Sequence, residues 1–148
     1  MSGYNEEAYK HARDTAIALP CPFERALLSR CVNCFKARRL LLAEREAISC
    51  TEEAANVTCL AFARALHHNA RFALHMDDHQ PWPFGKEIRV ECGGVLGLRS
   101  ALEIDENVEA DISLLVDKAL TRFGSIQAFP YSTIMRAVVH YEPRRKRS

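Results

Sequence analysis

The sequence predicts a mostly α, single-domain helical bundle of five or six helices, with one short extended segment at residues 87–92. Three observations lead there. Long stretches carry apolar residues three and four apart, as one face of a helix requires. A period-two alternation occurs at one place, where Ile88, Val90 and Cys92 alternate with Arg89 and Glu91. The chain has 148 residues, 48% of them apolar, which suits one domain with its own core.

Residues 1–19 are polar and only weakly periodic, and read as an N-terminal arm. Pro20-Cys21-Pro22 stops the chain and restarts it, because proline is tolerated in the first turn of a helix. Phe23, Ala26, Leu27 and Leu28 then predict a helix over about 22–30. Residues 31–34 form a turn or kink, with Asn33 tolerant of left-handed geometry. Residues 35–48 hold strong helix formers around Leu40, Leu41, Leu42, Ala43 and Ala47, and predict a second helix. Ser49 with Glu52 fits a capping box, and Thr51 before Glu52 and Glu53 is the alternative start. The third helix runs to about residue 75 on the stripe Ala55, Cys59, Phe62, Leu66 and Ala73.

Two prolines and Gly85 make 77–85 a loop. After the extended segment, Gly93, Gly94 and Gly97 break the chain, and 95–102 reads as a short helix. Residues 106–123 form a helix with Val108, Ile112, Leu115, Val116 and Leu120 on one face, stopped by Gly124. Pro130 opens a last helix over 131–141, with Ile134, Met135, Val138 and Val139 inward, and Pro143 ends it. The domain thus covers 20–142, followed by a basic tail at 143–148.

Charge excludes some functions. Twenty Lys and Arg against nineteen Asp and Glu leave a net charge of +1, unlike a protein that coats a polyanion. Nucleic acid is therefore not an expected partner, and Arg144 to Arg147 read as a solvated terminus. No apolar run approaches the ~20 residues that cross a bilayer. Glu6, Glu7, Lys10, Arg13 and Asp14 are foreign to a signal peptide, so a cytoplasmic location is expected.

The informative residues are the six cysteines, five of them within residues 21–59. In a reducing compartment they are expected to stay thiols. One buried cysteine is usually a small hydrophobe, whereas several together are soft ligands for zinc or an iron–sulfur cluster. If 35–48 is an intact helix, Cys34 and Cys50 lie about 24 Å apart at 1.5 Å per residue and cannot share a metal. Short connections favour antiparallel neighbours, which gathers Cys21, Cys50 and Cys59 toward one end of the bundle. Cys92, the one cysteine outside this region, supplies a fourth ligand. Cys21 precedes proline, as does the last cysteine of a ferredoxin-type run. Gly93 and Gly94 after Cys92 let backbone N–H groups approach a sulfur or anion.

The expected metal ligands are therefore Cys21, Cys50, Cys59 and Cys92. They lack the paired knuckles of structural zinc, which favours a [4Fe–4S] cluster, with zinc as the alternative. A second possible set, Cys31 and Cys34 with His67 or His68, suits zinc, but adjacent histidines point about 100° apart on a helix. Both histidines are expected on the polar face with Arg64 and Arg71. Cys31-x-x-Cys34 also has thiol-exchange spacing, without the βαβ context that usually accompanies it.

Other constellations carry less. Glu44, Glu46, Glu52 and Glu53 lack the Glu-x-x-His pairs of a di-iron bundle and read as a solvated face. His75, Asp77, Asp78 and His79 read as a helix end entering a loop. Arg99 follows glycines that match neither a Walker loop nor a dinucleotide fingerprint. No nucleophile–base pattern is present, so no catalytic activity of the chain's own is expected. The expected function is a small iron–sulfur protein acting in electron transfer, redox sensing or support of a redox enzyme, with a redox protein or enzyme as partner. The alternatives are a metal-free helical interaction module with structural cysteines, and a zinc-binding structural protein.

Overall fold

The computed structural model describes residues 7, 8, 11, 17–76 and 81–143. Its elements are α1 (Glu24–Leu28), β1 (Ala37–Leu42), β2 (Arg45–Cys50), α2 (Glu53–Ala73), α3 (Phe84–Ile88), a π-helical turn (Arg89–Gly93), α4 (Gly94–Ala101), α5 (Ile112–Phe123), a 3-10 turn (Ile126–Ala128) and α6 (Tyr131–His140). The mostly α architecture agrees with the sequence. Most of the expected arm and tail, and Asp77, Asp78 and His79, lie outside the described residues.

The long helices form where the apolar period is clear. α2 buries Phe62, Ala63, Leu66 and Ala70 on one stripe. α5 starts at Asp111, whose side chain accepts from the Leu114 N–H, and ends at Gly124 at a φ of 93°. Phe23, Phe62 and Phe129 meet at ring separations of 5.7 and 5.5 Å and join α1, α2 and the segment before α6. Among the described residues no helix is long and apolar enough to cross a membrane.

The expected helix at 35–48 is instead an antiparallel hairpin, with Ala37 opposite Cys50 and Leu42 opposite Arg45. Its two-residue turn, Ala43-Glu44, has φ of 46° and 67°. Helix propensity separates residues by tenths of a kcal/mol. Tertiary burial outweighs it here. Ala47 and Ile48 are fully buried, and the chain before α1 pairs along the outer side of β2. There the Cys21 N–H donates to the Ile48 carbonyl at 3.0 Å and the Cys50 N–H to the Leu19 carbonyl at 2.8 Å. Arg39 donates to the Leu27 carbonyl at 2.9 Å and pairs with Glu46 at 3.1 Å, fastening the hairpin to α1.

The expected extended segment at 87–92 is also overturned, because α3 and the π turn cover it. Ile88, Val90 and Cys92 are buried, but so is Glu91. The turn lies among α1, α2, α4 and α6, so burial on several sides produces the apolar alternation without a strand. Gly93 and Gly97 serve packing rather than a sulfur ligand. A Cβ on Gly93 would lie 2.7 Å from the Val138 Cα, and one on Gly97 2.9 Å from the Ile134 carbonyl oxygen. Their absence lets α6 lie directly on the π turn and α4.

Candidate metal centre

Four chain segments each bring one thiol to a common cavity. Cys21 ends the stretch paired along β2, just before α1, and its carbonyl accepts from the Glu24 N–H at 3.3 Å. Cys34 is fixed on both sides. Before it, Asn33 bridges to the start of α5, donating to the Ala110 carbonyl and accepting from the Ile112 N–H, each at 2.8 Å. After it, the Phe35 N–H donates to the Asp111 carboxylate at 2.8 Å. Cys50 closes β2, and its thiol donates to the Glu52 carbonyl at 3.2 Å. Cys59 lies in the second turn of α2.

These sulfurs share a cavity of about 20 Å³ whose walls include Phe23, Ala37, Ala55 and Ile112. That is room for about one water molecule. Burial pushes the Cys21 thiol far above its ordinary pKa, against the Phe23 N–H, which hydrogen-bonds its sulfur. Burial likewise raises Cys34, opposed by the N–H groups of Lys36 and Ser113. Cys59 is pushed up to about 12, by burial first and then by the neighbouring Cys34 and Cys50. Mutual electrostatic coupling of Cys21, Cys34, Cys50 and Cys59 reflects their proximity. Without a cation Cys21, Cys34 and Cys59 are held as neutral thiols. A bound metal reverses that preference, because coordination deprotonates them.

The hairpin explains which cysteines meet. Because the chain turns back at Ala43-Glu44, Cys34 and Cys50 flank the open end of one hairpin instead of opposite ends of one helix. Of the expected ligands, Cys21, Cys50 and Cys59 line this cavity and Cys92 does not. Cys92 is fully buried on the π turn and disulfide-bonded to Cys31, 61 residues away. The expectation of six free thiols is corrected for this pair. Cys34 stands fourth at the cavity. Only the hairpin at 35–48, which no local residue pattern signals, brings it there.

The other candidates disperse. His67 faces inward, with Nε2 2.8 Å from the Glu87 carboxylate and Nδ1 2.8 Å from the Ala63 carbonyl, while His68 is exposed. Cys31, Cys34, His67 and His68 therefore form no common site. Glu44, Glu46, Glu52 and Glu53 are exposed, Glu52 pairing with Lys36 at 3.1 Å. Arg99 donates to the Val108 carbonyl at 3.0 Å. Glu91, which the sequence offered only as the polar half of a strand, is a buried carboxyl.

Among the described residues no three His, Cys, Asp or Glu side chains close on a single point as a metal ion requires. The four cysteines line one small cavity instead. As donors they are of the soft kind: all are sulfur, the walls are mostly apolar, and backbone N–H groups face two of the sulfurs. Comparison with known proteins found no matching family model, curated protein or solved structure, so the site is read from its own geometry.

Proposed function

We propose that this chain is a small iron–sulfur protein, holding a [4Fe–4S] cluster on Cys21, Cys34, Cys50 and Cys59. One observation carries the reading: four thiols, distant in sequence and rooted in four segments, line a single cavity. A cubane takes one thiolate at each iron corner, so it calls for donors that ring a space rather than meet at a point, and the walls move apart to admit it because the space now holds about one water. When bound, such a cluster supplies one-electron chemistry. The chain's part is to fix the sulfurs, exclude water with Phe23 and Ile112, and direct the Phe23, Lys36 and Ser113 N–H groups at sulfur charge.

Electron exchange with a protein partner has a natural face. A surface hollow of about 110 Å³ is walled by Lys36, Glu52, Thr58 and Asp117 and reaches Cys59. The role is electron transfer, redox sensing or support of a redox enzyme.

Zinc is the second reading, favoured by the 20 Å³ of free space, which has room for one ion once the thiols turn toward a common point. Anaerobic reconstitution with ferrous iron and sulfide separates the two. The cluster reading expects a brown protein with about four iron and four sulfide per chain. Cys34→Ser loses that iron and Cys92→Val keeps it. A colourless protein carrying one zinc supports the second reading. A protein that takes up neither, or a Cys34→Ser variant with full iron, overturns the site.

A further inference from the structure

The hairpin has one occupied edge and one open edge. The stretch from Leu19 to Cys21 pairs with the outer side of β2 through Ile48 and Cys50. Among the described residues no strand or bridge lies on the outer side of β1. In an antiparallel pair, alternate residues turn their N–H and C=O groups toward the partner strand. The bond from the Thr51 N–H to the Lys36 carbonyl, at 2.9 Å, sets that phase. With Lys36 facing β2, Arg38, Leu40 and Leu42 also face β2 in the observed register. The backbone groups of Arg39 and Leu41 therefore point outward, away from β2.

An open edge of this kind is a template for another strand, and proteins usually blunt it with a bulge, a proline or a covering segment. β1 has none of these. It runs unbroken over six residues and carries Leu40, Leu41 and Leu42 in a row, with Leu41 74% exposed. The Arg39 charge is met by Glu46. Arg38 in β1 and Glu44 in the turn are exposed, and among the described residues neither enters an ion pair.

The edge is complementary to itself. Let a second β1 run antiparallel to the first, with Leu40 opposite Leu40 across a twofold axis. Arg39 of each copy then faces Leu41 of the other, and these are the residues whose backbone groups point outward, so both bonds of each such pair form. Arg38 lies diagonal to Glu44 of the second copy on the same face, within reach of long side chains. A shift of two residues one way sets Arg39 against Arg39. The same shift the other way sets Arg39 against Ala43, in the turn, where the ladder ends.

We propose that two copies of this chain associate through β1, joining their hairpins into one sheet across a twofold axis. The charges select a second copy as the occupant, because a twofold axis satisfies Arg38 and Glu44 of both chains at once. Each copy uses its open edge, and the outer side of β2 is taken, so association closes at the dimer. A contact this small is of the weak class, with a dissociation constant on the order of micromolar. The proposal does not rest on the metal reading.

The test is sedimentation equilibrium of the full metal-free chain over roughly 1–300 µM, the range of a weak interface. The mass rises with concentration from 16.7 kDa toward twice that value, and a denaturing gel without reductant shows monomer. Leu41→Pro removes the outward N–H and spares the bonds to β2. Arg38→Glu sets like charges across the axis and keeps the strand intact. Each variant weakens association roughly tenfold or more, and Arg38→Glu combined with Glu44→Arg restores it. A chain that stays monomeric throughout, a dimer that persists as a disulfide in the gel, undiminished association in Arg38→Glu, or a combined variant no better than Arg38→Glu overturns the proposal.

Discussion

Replacing Asp111 with alanine removes two hydrogen bonds that serve different parts of the molecule. Oδ1 accepts from the Leu114 N–H at 3.2 Å and caps α5. Oδ2 accepts from the Phe35 N–H at 2.8 Å and holds the residue after Cys34. Loss of an N-cap costs about 1 kcal/mol. The second bond is charge-assisted but solvent-exposed, and contributes about another 1 kcal/mol. The sum, about 2 kcal/mol, lowers the melting temperature of a domain this size by about 6 °C. The backbone bridge between Asn33 and α5 survives and limits the damage. Urea unfolding of the metal-free chain measures the loss, and hydrogen exchange at the Phe35 amide locates it. Exchange there accelerates, and Cys34 becomes easier to alkylate. A change below about 0.5 kcal/mol, within ordinary surface-mutation scatter, or an unaltered Phe35 amide, refutes the idea that Asp111 ties Cys34 to α5.

Three further outcomes follow from the packing and the charges. Gly93→Ala forces a Cβ to within 2.7 Å of the Val138 Cα, and overpacking against backbone lowers stability by about 1–3 kcal/mol in urea melts. Alkylation of Cys59 by iodoacetamide in the metal-free chain keeps rising beyond pH 10, because its pKa lies near 12; a plateau near pH 9, the ordinary thiol range, contradicts its burial. The His67–Glu87 pair makes stability depend on pH. Burial alone would lower the His67 pKa, but the Glu87 carboxylate and the Ala63 carbonyl raise it overall. Burial would raise Glu87, and His67 and Arg25 lower it overall. A raised histidine contributes fully below its unfolded value near 6.5, and a lowered carboxyl fully above its own near 4.3. The pair therefore contributes most between about pH 5 and 6.5 and weakens as His67 deprotonates. His67→Gln flattens the melting profile above pH 6, and an identical profile in wild type and variant removes this account.

The long helices were legible in the amino-acid sequence because their signal is local. Phe62 and Leu66 recur on one turn-spaced stripe of α2, as do Ile112, Leu115 and Val116 on α5. Gly124 and Pro130 mark boundaries by their own backbone chemistry. The hairpin was not legible. Ala43-Glu44 lacks the Asn-Gly or Asp-Gly signature of a tight turn, and Leu40 to Ala43 read locally as helix. What selects the strands is distant: the Leu19 to Cys21 backbone beside β2, and the core that receives Ala47 and Ile48.

That one choice of backbone decides which sulfurs are neighbours. A helix would carry Cys34 away from Cys50, whereas a hairpin returns the chain and sets them at the same end. The π turn decides the fate of Cys92 in the same way, facing it toward Cys31 and burying Glu91 beside it. The residue types alone therefore determined that this protein is helical and rich in thiols. Only the tertiary structure decided which thiols share a cavity, because that depends on contacts between segments far apart in the chain, which no local pattern encodes.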